Sequence, residues 1–208
     1  MLNIALSFFC LLIPSIVFHE YAHAWVADRL GDDTARRMGR LTLNPLRHVD
    51  PFGTVILPLL LYIPYVIGLT HSPLIFGFAK PVPFNPARLR DPRRGIMLVR
   101  LAGPLMNMLM ACVVAKGLVF VHNPYLIDLG VTAVYINIGL ALFNMIPIPP
   151  LDGSGILYAI LPARMLALLQ RVDNIVGMIL VFVMFKFGWF SFVNVMVYKL
   201  AQWMGVQA

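Results

Sequence analysis

The chain has 208 residues, 60% of them apolar and only 12% charged, with a mean hydropathy of +0.84. That is far more apolar than an ordinary soluble domain and defines a multi-pass membrane protein. The net charge of +7 does not argue for nucleic acid, because the basic residues gather in loops beside apolar stretches, as they do on a cytoplasmic membrane face; the lipid bilayer is the expected contact.

In chain order, Leu2 to Leu30 is predicted as one long helix, apolar to Phe18, kinked at Pro14 and closed by Gly31-Asp32-Asp33. It lacks the basic start and small-residue cleavage site of a removable signal, so it is expected to be retained. Cys10 and Cys112 lie in apolar segments without the spacing of a redox or metal pair. Residues 32 to 50 carry Arg36, Arg37, Arg40, Arg47 and His48 and read as loop or short strand. Pro51 to Phe78 is apolar but interrupted by Pro58, Pro64 and Pro73, which favours a re-entrant or broken hydrophobic hairpin over a full span. Lys80 to Arg100 is a second basic connection. Gly95 to Val121 and Leu129 to Ile146 are predicted spans joined by a turn over residues 122 to 128 that has no Lys or Arg. Pro147, Pro149 and Pro150 stop the second of these. Gly155 to Arg171 reads as a short or partly embedded helix, and Ile175 to Trp203 as the last span, with Trp189 and Trp203 as interfacial anchors. The expected fold is all-α, with about four spanning helices, the broken segment and short strand-like loops, in a single integral-membrane domain over residues 1–208. Charge bias puts both basic loops in the cytoplasm and the N-terminus outside.

The chain's sole glutamate, Glu20, stands in His19-Glu20-Tyr21-Ala22-His23, near the C-terminal end of the first predicted helix. Residues i and i+4 share a helix face, so His19 and His23 can present imidazoles to one metal while Glu20 reaches a water beside it. Two histidines and a glutamate on an apolar helix are costly without a function. A catalytic zinc of this kind needs a third protein ligand, commonly a carboxylate, and the eight aspartates are the only source left. Asp152 stands out, because it follows a proline-broken helix end where irregular backbone can line a cavity at membrane depth. As plain residues, Asn107 and Asn144 read as hydrogen-bond glue between helices, Gly103-Pro104 as a packing notch, and Lys80 with the arginines of 88 to 100 as topology signals and lipid contacts. His48, His71 and His122 are not expected to bind the metal.

Three stretches together resemble the site-2 protease family of intramembrane zinc metalloproteases: His19-Glu20-xx-His23, Ala102-Gly103-Pro104-Leu105-Met106-Asn107, and Phe143-Asn144-Met145-Ile146-Pro147-Ile148-Pro149-Pro150-Leu151-Asp152-Gly153. Phe76 to Pro86 further resembles the compact prokaryotic branch, which lacks a PDZ domain. The resemblance covers nearly the whole chain. It implies one zinc ion per chain held by His19, His23 and Asp152, Glu20 as general base, and Asn144 as an aid to substrate orientation or the oxyanion. Asn107 and Lys80 become candidates for substrate positioning. It implies hydrolysis of peptide bonds in or near transmembrane segments, in regulated intramembrane proteolysis or clearance of membrane remnants. The enzyme would sit in the cell membrane with its site near the cytoplasmic side and act on transmembrane substrates, some trimmed beforehand by another protease. Ser154-Gly155 follow the Asp-Gly where many relatives have a glycine and then an arginine, which leaves the anchoring of that loop open. A metal transporter would be expected to show several sites along a path, and a non-catalytic scaffold would have no need of Glu20.

Overall fold

The computed structural model describes residues 2–69, 80–169 and 188–206, with the pairs 176–177, 179–180 and 183–184. The first helix, α1 (Leu2–Arg29), continues through Pro14. It ends in a Schellman close: Asp32 N–H reaches back to Ala27 O at 3.0 Å while Gly31 adopts φ +107°, a backbone state in which glycine pays no Cβ penalty. The buried Asp32 carboxylate then accepts from Thr34 N–H at 3.1 Å and from Asn85 N–H at 2.5 Å, tying the later 80–88 segment to the end of α1.

No strand occurs among the described residues, which corrects the strand-like loops expected over 32–50. That segment instead folds as the single turn α2 (Thr34–Arg37) and a 3-10 turn at Pro45–Arg47. The reason is local. Asp32 and Asn44 each cap the backbone N–H two residues on, Asn44 Oδ1 taking Leu46 N–H at 3.0 Å, so the backbone is satisfied without a ladder partner.

From Pro51 the apolar stretch makes a six-residue π turn, Pro51–Ile56, and a ten-residue helix, α3 (Leu57–Val66), short of the roughly 20 residues that a span needs. Residues 70–79, the rest of the expected hairpin, lie outside the described residues. The next helix, α4 (Pro92–Leu118), starts on Asp91, whose carboxylate accepts Arg93 and Arg94 N–H, with Pro92 in the first helical position. The same device starts α5 (Pro124–Asn144): Asn123 caps it and Pro124 opens it, several residues before the predicted Leu129. The predicted 155–171 helix divides into α6 (Ser154–Ile160) and α7 (Ala163–Leu169), because Pro162 holds Leu161 in an extended conformation. Of the last predicted span, α8 (Trp189–Trp203) is described as a helix after Gly188, whose φ is +77°; most of residues 175–187 lies outside the described residues.

The hub is α4, which packs against α1, α5 and α6, while α5 also packs against α8. Small residues make the close approach possible: Ala111 and Ala115 of α4 meet Val134 and Ile138 of α5 and Val197 and Ala201 of α8 in one buried cluster. Among the described residues, α4 and α5 are the two helices long and apolar enough to cross a membrane, and they leave Leu105, Leu109, Val113, Tyr125 and Leu126 exposed.

Candidate metal centre

α1 presents His19 and His23 one turn apart, with ring centroids 4.6 Å apart and planes at 86°. Both rings point at α4 where its side chain is smallest. A Cβ at Gly103 would stand 2.5 Å from His19 Nε2 and closer still to His23 Nε2, so the two imidazoles occupy the space that only glycine leaves free. Gly103 is therefore more than a packing notch. The motif spacing from Gly-Pro to Asn was the signal for it, but only the helix crossing connects it to the histidines.

Asp152 arrives from the loop after α5. Its Oδ2 lies 3.0 Å from His19 Nε2 and 3.3 Å from His23 Nε2, and the three ligand atoms all lie within 4.8 Å of one another. On their far sides the rings are held. His23 Nδ1–H donates to Val99 O at 2.7 Å, and His19 Nδ1 meets Asn107 Oδ1 at 2.6 Å. Because Val99 O can only accept, His23 carries a proton on Nδ1, which leaves Nε2, on the Asp152 side, as the nitrogen for a metal. Two imidazole nitrogens and one carboxylate oxygen, converging in a glycine-floored recess and braced from behind, fit the donor set of a catalytic zinc site.

The aspartate loop is built by short-range backbone bonds. Leu151 N–H donates to Ile148 O at 2.8 Å and Gly153 N–H to Asn144 O at 2.6 Å; a Cβ at Gly153 would collide with the Met145 and Ile146 carbonyls. Arg100 of α4 supplies the anchor left open by the sequence, its Nη1 donating to Leu151 O at 3.3 Å and to Ser154 Oγ, while Ser154 Oγ–H donates to Leu151 O at 2.7 Å. Gly155 leaves room for the Arg100 stem, since a Cβ there would fall 2.7 Å from Arg100 Cβ. Read as a topology charge from sequence, Arg100 brackets Asp152 on both sides.

Glu20 is half-buried beside His19, and its Oε2 accepts Val82 N–H at 3.0 Å. The unhelical 80–85 segment is held over it by buried Arg40, whose Nη2 donates to Lys80 O at 2.6 Å and Pro81 O at 3.3 Å, and by Lys80 N–H on His48 O at 2.9 Å. Burial lowers the pKa of the Arg40 guanidinium, and the Glu20 carboxylate works against that shift. The side chain of Lys80 is exposed. Asn144, at the end of α5, donates from Nδ2 to Leu140 O at 3.0 Å. Asn107, a candidate for substrate positioning, is fully buried behind His19, with Nδ2 donating to Ser15 O at 3.1 Å and Asn137 Oδ1 at 2.9 Å, so it braces a histidine and has no face open to a substrate. His48 is buried with its ring on Thr42 O, His122 is exposed, and His71 lies outside the described residues.

A helical, apolar chain with an N2O donor set and an adjacent glutamate defines the class: a zinc metallopeptidase. The comparisons agree. A model of peptidase family M50 matches residues 121–187. YwhC of Bacillus subtilis, named as a proposed zinc metalloprotease, is 36% identical over 184 residues, covering 84% of this chain and 77% of that protein. Rip2 of Mycobacterium tuberculosis, named likewise, is 29% identical over 172 residues, 77% of this chain but 62% of Rip2, so the chain spans less than two thirds of that relative. No solved structure matches. The chain belongs to peptidase family M50, the site-2 protease family, and its metal is zinc.

Proposed function

We infer that this chain cleaves peptide bonds in or near transmembrane segments of membrane proteins. The observation that carries the reading is the convergence of His19 Nε2, His23 Nε2 and Asp152 Oδ2 beside Glu20, in a chain with helices apolar enough to span a bilayer. Bound zinc supplies Lewis acidity that polarises a peptide carbonyl and acidifies water. His19, His23 and Asp152 hold it. Glu20 takes a proton from the attacking water at its carboxylate and returns one to the leaving amine. Asn144 exchanges its bond to Leu140 O for one to the developing oxyanion. A helical substrate hides its scissile carbonyl in an i to i+4 hydrogen bond and must unwind locally before attack.

The unwound segment pairs with the backbone around Phe76–Asn85, of which residues 76–79 lie outside the described residues; contact of Val82 N–H with Glu20 supports this by bringing that backbone to the general base. Residues 1–208 act as one integral-membrane unit of about four spans with a re-entrant 51–78 segment. The arginines at the end of α1 and before α4 support a site near the cytoplasmic leaflet of the cell membrane. Substrates are transmembrane proteins or remnants left by an upstream protease, in regulated proteolysis or clearance.

The test is cleavage of a panel of fluorescent single-span substrates by purified protein, with zinc content measured on the same samples. Cleavage that is lost on chelation, restored by zinc and abolished in Glu20→Gln with zinc retained is the expected result. Zinc-loaded protein that moves metal across sealed vesicles and cleaves nothing would overturn the reading in favour of transport.

A further inference from the structure

Behind His19 lies a buried chain of amides that the motifs do not explain. Ser15, Asn107 and Asn137 are each 2% exposed or less, and they come from three helices, α1, α4 and α5. Asn137 Nδ2 donates to Ala133 O and to Ser15 Oγ, both at 2.9 Å; Ser15 Oγ–H donates to Leu11 O at 2.8 Å. Asn107 Nδ2 donates to Asn137 Oδ1 at 2.9 Å and to Ser15 O at 3.1 Å.

The orientation of both amides follows from backbone carbonyls, which can only accept. Ala133 O requires the Asn137 nitrogen, which turns Asn137 Oδ1 towards Asn107. Ser15 O and Asn137 Oδ1 both require the Asn107 nitrogen, which turns Asn107 Oδ1 towards His19. At 2.6 Å from that oxygen, His19 Nδ1 has to be the donor. With a proton fixed on Nδ1, Nε2 is the nitrogen left for a metal, and it faces Asp152 Oδ2 at 3.0 Å. His23 reaches the same state in one step from Val99 O; His19 needs this relay because its neighbour is a flippable amide.

We propose that Asn137, acting through Asn107, is a positioning residue that holds the His19 proton on Nδ1 and keeps Nε2 free for the metal. The proposal rests on reading His19 as a zinc ligand. Without Asn137 Oδ1, the Asn107 amide loses one of the two acceptors that orient it, and a flipped amide would set an N–H against His19 Nδ1. Second partners of this kind typically change metal affinity about 10- to 100-fold.

The test uses the full chain loaded with cobalt in place of zinc. Each imidazole bound through Nε2 with its proton on Nδ1 gives a solvent-exchangeable, hyperfine-shifted proton resonance, so the unaltered protein shows two. In Asn137→Ala one resonance exchanges about tenfold faster or disappears, the other stays, and metal affinity falls about 10-fold or more. Asn137→Asp, which still offers an oxygen to Asn107 Nδ2, keeps both. Should Asn137→Ala not fold, Ser15→Ala removes the hydroxyl that accepts from Asn137 Nδ2, together with its own bond to Leu11 O, and should speed exchange of that same single resonance roughly fivefold. Two unchanged resonances in these variants, or equal disturbance of both histidines, would overturn the proposal while leaving the zinc site standing. Absence of shifted resonances in the unaltered protein would instead remove the metal reading, and this inference with it.

Discussion

Gly103 is a residue on which the centre depends sharply. Its missing Cβ leaves the volume into which both Nε2 atoms project, so Gly103→Ala must push α1 from α4 or rotate the rings away. Zinc content should fall well below one per chain at limiting metal while the helical circular dichroism is kept; full occupancy would show that the recess can relax. Glu20 makes the opposite prediction. In its proposed role as proton carrier and not ligand, Glu20 predicts that Glu20→Gln lowers the cleavage rate by about two to four orders of magnitude with zinc content unchanged. The site at this scale was largely legible: His19, Glu20 and His23 are a local pattern, and Asp152 is marked by the proline-broken helix before it. Asn137 was not, because one asparagine in an apolar helix carries no spacing that points to a partner.

At the scale of elements, the loop from Met145 to Gly153 has to carry one carboxylate to two imidazoles, and it is irregular and rich in proline. Arg100 holds it from α4 through Leu151 O and Ser154 Oγ. A hydrogen bond from a charged donor contributes about 1.5–3 kcal/mol, so Arg100→Ala should weaken zinc binding at the Asp152 side and lower the melting temperature. Arg100→Lys should recover part of this, and Ser154→Ala should show non-additive coupling to Arg100→Ala in a double-mutant cycle on zinc affinity. Zinc affinity equal to the parent in Arg100→Ala would mean that the loop holds itself. Helix starts were readable where the cap residues Asp91-Pro92 and Asn123-Pro124 lie next to each other. Of the two readings of residues 32–50, loop or short strand, the strand fell because short polar side chains cap the backbone locally, which the apolar stretches between the arginines do not reveal.

At the scale of the whole molecule, the topology proposed above from the charge pattern puts residues 34–50 and 80–94 on the cytoplasmic face and the 121–123 turn outside. In a variant whose native Cys10 and Cys112 are replaced, a cysteine at Asn123 should react with a membrane-impermeant maleimide applied to intact cells, and one at Leu46 only after lysis. Labelling of both from one side would reverse or break the proposed topology.

Taken by itself, the sequence determined the membrane class, the order of the three motifs and the four residues expected to do the chemistry. Composition and short-range spacing are sufficient for these, since a helix puts residues three and four apart on one face whatever surrounds it. The tertiary structure alone decided which residues serve those four. His19 meets Asn107 across 88 positions and Asp152 across 133. Whether such distant groups touch depends on how closely α1, α4 and α5 cross, and that is set by small residues such as Gly103, Ala111 and Ala115 packing against their neighbours. Arg100 under the aspartate loop and Asn137 behind the histidine relay follow from that crossing, and no periodicity within one helix encodes it.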